Sequence, residues 1–246
     1  SMKNITNTFL AITLAAQGAS LYADHHLEEA PLSSGAMTIL NLVAEDPSAY
    51  IEFQRGNSEV LEELGVLLAG ACVAVSGNES AGEMQFFSFH SNLGNAFNMW
   101  EVMATSPRIK GLQTGLQSSR KLTGNQTLQV VKGYGGEIYQ TWATRAVEVN
   151  PTNPTAYLQA VNSLDMVFKS NGFSDVEFNV YQPIASGTSG LYTVIAIAPS
   201  LRRLGEAFGA LSSEQWAKDA YSLVTASRAS PVSDKAYLCE QVYSAI

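Results

Sequence analysis

The chain has little of what most catalytic signatures are made from. Its 246 residues include 2 cysteines and 3 histidines. Neither a Cys-x-x-Cys pair nor a His-Glu-x-x-His helix is present, and no metal is expected. Gly-x-Ser-x-Gly and the P-loop are missing too, which removes the nucleophile elbow and the phosphate cradle. Cations are scarce: 14 Lys+Arg stand against 22 Asp+Glu, for a net charge of −8. A nucleic-acid surface needs clustered cations to displace counterions from phosphates, and an anionic membrane surface needs the same. Neither is expected as a partner.

What is present begins with an apolar run near the start. Ser1 before Met2 reads as a cloning remnant. Lys3, the stretch Phe9-Leu10-Ala11-Ile12-Thr13-Leu14-Ala15-Ala16 and the small residues up to Ala23 make residues 1–23 a secretory signal peptide. The run is too short to span a bilayer. Because only one cation precedes it and Thr13 interrupts it, the competing reading is an amphipathic first helix of the fold. On the leader reading the mature protein starts near Asp24 and is periplasmic or secreted, with no membrane contact. Residues 24–35, with Pro31 and Gly35, read as a polar tether. A free terminus at Asp24-His25-His26 has the donors to wrap Cu(II) or Ni(II); the plainer reading is a solvated tail.

The rest of the chain is duplicated. Asp46-Pro47-Ser48-Ala49-Tyr50 returns as Asn153-Pro154-Thr155-Ala156-Tyr157, at an offset of 107 (154 − 47), and Gly65 maps onto Gly172 at the same offset. Leu93-Gly94-Asn95-Ala96-Phe97 returns as Leu204-Gly205-Glu206-Ala207-Phe208 at 111 (204 − 93), so the second copy carries four extra residues in a loop. Such self-similarity decides architecture before any single element does. In the first copy Met37–Ala44 reads as a strand. Pro47 to about Leu64 is a helix that stops at Gly65. Ala71–Ser76 and Met84–His90 form a hairpin, Asn92 to about Lys121 is a broken helical region, and Thr127–Lys132 closes the unit. Thr141–Val149 begins the second copy, which repeats the order and ends with a strand over Lys235–Val242. The expected fold is α+β: two tandem ferredoxin-like β-α-β-β-α-β repeats, 36–132 and 141–246, joined by the glycine-rich linker 133–140.

Two such units in one chain resemble the dimeric α/β-barrel superfamily in its fused form. That architecture is shared by antibiotic-biosynthesis monooxygenases, NIPSNAP-like proteins, chlorite dismutases and dye-decolorising peroxidases. The resemblance rests on element order and duplication, so it implies a fold, an intramolecular α/β barrel with a pocket between its sheets, more than a reaction. The haem-binding relatives imply a proximal histidine in the second unit. This chain has none there, since His25, His26 and His90 all precede the linker, and no cofactor is expected.

Strand alternation then ranks the residues. Leu40/Val147 and Leu42/Val149 suit the helix-covered face. Met37, Ile39, Asn41 and Val43, with Thr144, Ala146, Glu148 and Asn150 as their equivalents, would line the barrel. Glu148 becomes the candidate general base, against the alternative of a strand-end carboxylate in water. His90, sharing a face with Phe86 and Ser88, is the second candidate, as an acid/base or a metal ligand; its alternative is a structural or exposed histidine. Asn41, Asn179 and Tyr181 are candidate substrate contacts. Phe87, Phe89, Trp100 and Trp142 read as packing residues. In the resembled barrel the last strand of one unit runs beside the second strand of the other, which implies that Cys72 and Cys239 could form a disulfide closing a long loop; two separate buried thiols are the alternative. The expected function is an exported small-molecule enzyme, a cofactor-independent monooxygenase or a lyase/isomerase acting on a small apolar or aromatic substrate. A non-catalytic periplasmic ligand-binding or stress-response protein is the second reading, and assembly into a homo-oligomer stays open.

Overall fold

The computed structural model describes residues 30–187 and 190–246. Residues 1–23 and the Asp24-His25-His26 terminus lie outside the described residues. In order, the elements are β1 (Ala36–Ala44), α1 (Pro47–Gly56), α2 (Ser58–Glu63), β2 (Leu68–Ser76), β3 (Glu83–His90), α3 (Leu93–Thr105), α4 (Pro107–Gly115) and β4 (Arg120–Lys132). The second half adds β5 (Thr141–Val149), α5 (Pro154–Ser170), β6 (Glu177–Ala185), β7 (Tyr192–Ala198), α6 (Leu201–Ser213), α7 (Gln215–Ala226) and β8 (Ser233–Ser244). The eight strands close into a barrel in the order β1-β3-β2-β8-β5-β7-β6-β4, every neighbour antiparallel. Each half contributes four adjacent strands in the same internal order, β4-β1-β3-β2 and β8-β5-β7-β6.

The duplicated motif is a helix start. Asp46 accepts the Ala49 N–H at 3.1 Å, and Asn153 accepts that of Ala156 at the same distance, so two of the free N–H groups of the first turns are satisfied alike. Each is followed by a proline at the first helical position. The glycine echo is a helix stop. Gly65 and Gly172 take φ +67° and +89°, and the next N–H, on Val66 or Phe173, bonds back to Leu61 or Phe168, which is how a left-handed glycine ends a helix.

Two expectations are corrected in the first half. The helix from Pro47 is interrupted at Asn57, whose backbone leaves helical geometry while its side chain donates to the Phe53 carbonyl at 2.8 Å. The closing strand begins at Arg120, seven residues earlier than Thr127 (127 − 120), because the exposed, polar stretch 120–125 pairs with β1. Only the ladder reveals it.

Strand alternation sorts the core into three. One cluster lies between the first half's strands and its helices, with Leu42, Met84 and Phe86 against Tyr50, Leu61 and Met99. A second does the same for the other half, with Val149, Phe178 and Val194 against Tyr157, Phe168 and Leu204. The third fills the barrel, drawing Met37, Phe87, Leu128, Trp142, Tyr181 and Tyr237 from six strands. At the β2–β8 seam Cys72 and Cys239 sit directly opposite each other and form a disulfide. Beside it, a Cβ on Gly70 would meet the Phe87 ring at 2.5 Å and the Glu240 carbonyl at 2.9 Å. Glycine there lets an aromatic ring lie against the barrel wall.

Candidate functional site at the polar end of the barrel

The barrel interior is polar at one end and apolar at the other. At the polar end a recess of about 310 Å³ is lined by Asn41 from β1, Glu83 and Gln85 from β3, Gln126 from β4, Glu148 from β5, and Lys235 and Tyr237 from β8. These residues share the inward parity of their strands, and closure of the barrel collects them. Gln126 Nε2 donates to Glu148 Oε1 at 2.8 Å, and Gln85 Nε2 donates to Asn41 Oδ1 at 2.9 Å. Lys235 is bonded to Glu83, which also accepts the Glu79 N–H at 2.9 Å. Although burial works against the Glu83 carboxylate, the Lys235 ammonium and the backbone N–H groups outweigh it and hold its pKa below the usual range. Tyr237 is 3% exposed. Burial pushes its phenol well above the ordinary range, and the nearby Glu83 and Glu148 push it further. At neutral pH it is a donor, never a phenolate. The recess therefore offers a half-buried carboxylate fixed by an amide and a protonated hydroxyl, the pairing that proton transfer needs.

Behind the recess, sharing Gln85 and Ala146 with it, is a chamber of about 70 Å³. Met37, Phe87, Phe89, Trp142 and Tyr181 line it, and Tyr134, Ile138 and Tyr139 of the linker border it on the solvent side. The rings pack edge to face, with Phe87–Phe89 and Phe87–Trp142 centroids both 5.8 Å apart. Gly135 N–H donates to Glu177 at 2.8 Å and ties the linker down.

The predicted residues separate accordingly. Asn41 and Glu148 meet in the recess, from opposite halves of the chain. Tyr181 lines the chamber behind them. Asn179 faces inward, 0% exposed and packed on β7, where its Nδ2 reaches the Ile195 carbonyl at 3.5 Å and its Oδ1 is buried without a hydrogen-bond partner. His90 lies outside the barrel altogether. Phe87 and Phe89 point inward, so Phe86, Ser88 and His90 point to the helices, and His90 Nε2 sits 3.2 Å from Thr38 Oγ1 beneath Met99. The two acid/base candidates are thus on opposite sides of the sheet. Burial drops the His90 pKa to about 4, so the ring is neutral at physiological pH. His90 Nε2 meets Thr38, its Nδ1 is buried without a partner on the helix side of the sheet, and no histidine follows residue 140, so the described residues do not fit a haem held by a second-unit histidine. Trp100 is likewise outside the barrel, its indole N–H donating to Thr127 at 2.7 Å.

Gln85, Gln126, Lys235 and Tyr237 were not singled out from the sequence. For Gln85 the signal was available: it has the parity of Phe87 and Phe89 and lies opposite Asn41. Lys235 and Glu83 are 152 residues apart and meet only across the seam.

No protein-family model matches the chain, and no curated protein does. Solved structures match it by shape. A proposed monooxygenase from Lactobacillus acidophilus superposes with a TM-score of 0.54 at 12% identity, over 85% of this chain and 95% of that one. An anthrone oxidase-like protein gives 0.51 at 15% identity over 88% and 100%. Chlorite dismutase from Candidatus Nitrospira defluvii gives 0.52 at 9% over 85% and 92%. At such identities the likeness speaks for the fold and not for the reaction. The chain shares with these proteins an α/β fold built on a closed antiparallel barrel, and here one polypeptide supplies all eight strands.

Proposed function

We propose that the protein is a small-molecule enzyme built from two ferredoxin-like repeats, and that its reaction begins with proton abstraction in the polar recess. Glu148 is the base, Gln126 holds it, and Tyr237 donates a hydrogen bond to the oxygen on which charge develops. Asn41 and Gln85 orient the substrate. A carbanion formed this way is reprotonated at another carbon, as in an isomerase, expels a leaving group from the neighbouring carbon, as in a lyase, or gives its electrons to dioxygen, as in a monooxygenase. The observation that carries this reading is a carboxylate fixed by an amide beside a buried, protonated phenol, inside a closed barrel that also holds an apolar chamber. Neighbours named for monooxygenase and anthrone oxidase chemistry support the class. The chamber narrows the substrate: about 70 Å³ is smaller than the ~150 Å³ cavity that takes benzene, so only a small apolar group fits behind the recess. The Cys72–Cys239 disulfide supports work in an oxidising compartment, periplasmic or secreted, after removal of residues 1–23. No helix among the described residues is long and apolar enough to cross a membrane.

Proton abstraction can be read before the substrate is known. Small carbonyl compounds with acidic C–H groups, incubated with the protein in heavy water, lose proton signal by NMR where the site exchanges it. The expected result is catalysed exchange that falls by about 10²–10⁴-fold in Glu148→Gln. Exchange that survives in this variant removes Glu148 from the reaction. The chamber's almost wholly apolar lining favours ligand binding without catalysis as the second reading; saturable binding without exchange in any compound is its signature.

A further inference from the structure

The charges of the recess specify the ligand's head group, provided the recess is the substrate site as argued above. Its acidic and basic lining residues are Glu83, Glu148 and Lys235. Lys235 is engaged by Glu83, so the one cation is already neutralised by its own partner. Glu148 is held only by the neutral amide of Gln126 and pairs with no cation among the described residues. One negative charge is therefore left uncompensated in a half-buried wall, where the effective dielectric is lower than in water and a second charge is felt strongly. Around it the Asn41–Gln85 amide pair leaves a carbonyl and an amino group to a ligand. The neighbouring chamber, which shares Gln85 and Ala146 with the recess, has room for a short apolar tail.

We propose that the barrel selects molecules with a short aliphatic tail and a cationic or neutral hydrogen-bonding head, a primary amine before a hydroxyl, and rejects carboxylates. The amine sets its ammonium against the amide carbonyl of Gln85, within the field of the Glu148 carboxylate, whose second oxygen stays free to act as the base. The hydroxyl makes the hydrogen bonds without the charge. A carboxylate faces Glu148 with Lys235 unavailable to it.

Three compounds on one branched five-carbon skeleton separate these cases: 3-methylbutylamine, 3-methylbutanol and 3-methylbutanoate, titrated calorimetrically into the full chain at pH 7. The expected order is amine, alcohol, carboxylate, with about tenfold or more between the first and the last. In Glu148→Gln, with fold checked by near-ultraviolet circular dichroism, the amine falls to within about twofold of the alcohol, whose own affinity holds. Carboxylate binding as tight as amine, an unchanged order in Glu148→Gln, or no saturable binding of any of the three overturns the proposal. The order on the unmodified protein needs no variant to be read. It is also independent of turnover: a correct binding order without proton exchange defeats the enzyme reading alone, and proton exchange with a flat binding order defeats the head-group assignment alone.

Discussion

His90 shows how strand parity decides what a side chain can do. The run Phe86-Phe87-Ser88-Phe89-His90 is buried on both faces, so its composition carries no alternation from which to read inside and outside. For Asn41 and Glu148 the repeat supplied what composition did not: the apolar pairs Leu40/Val147 and Leu42/Val149 mark the helix-covered face, so the inward placement of the other face was legible. On the helix side His90 is 1% exposed and its pKa falls to about 4 through burial. An unfolded histidine titrates near 6.5. Between these values the unfolded chain binds a proton that the folded protein refuses, so this contribution to stability is complete above about pH 6.5 and is lost as pH falls towards 4. The difference amounts to about 3 kcal/mol. Urea unfolding at pH 7 and pH 4.5 should show a smaller acid loss in His90→Leu than in the unmodified protein, by about 2–3 kcal/mol. The carboxylates titrate alike in both. Equal losses would mean that His90 is not held neutral by the fold.

Among the elements, helices were easier to foresee than the edges of strands. Prolines, caps and glycines mark helix ends locally, and Asp46, Gly65, Asn153 and Gly172 all do so. The early part of β4 carries Arg120, Lys121, Gly124 and Asn125, residues that favour no strand alone; its partner β1 makes the ladder. The disulfide belongs to this scale because it staples β2 to β8, strands of different halves. It joins residues 167 apart in sequence, and in the chain-entropy model a loop of that length is worth about 5 kcal/mol. Native strain and residual structure commonly reduce such figures, so reduction should cost about 2–5 kcal/mol in denaturant unfolding. The unfolded, unreduced protein should show no free thiol. Two reactive thiols, or a stability indifferent to reductant, would contradict the pairing.

For the molecule as a whole, duplication was the legible fact and closure the less visible one. The repeat announces two similar halves, and it took the resemblance to a known barrel to suggest how they meet. The recess was beyond reach for the same reason: Asn41, Gln126, Glu148 and Tyr237 are brought together by ladders between remote strands. The helix-covered side of the first half has a cavity of its own, about 80 Å³, lined by Thr38, Met99 and Trp100, so the barrel interior has a rival location on the same molecule. The most direct test is therefore where a ligand binds. Backbone amide NMR of the full chain, titrated with whichever compound binds tightest, should show saturable shifts centred on Asn41, Gln85, Gln126, Glu148 and Tyr237. Shifts centred instead on Thr38, His90, Met99 and Trp100 would move the site to the helix side and contradict the account.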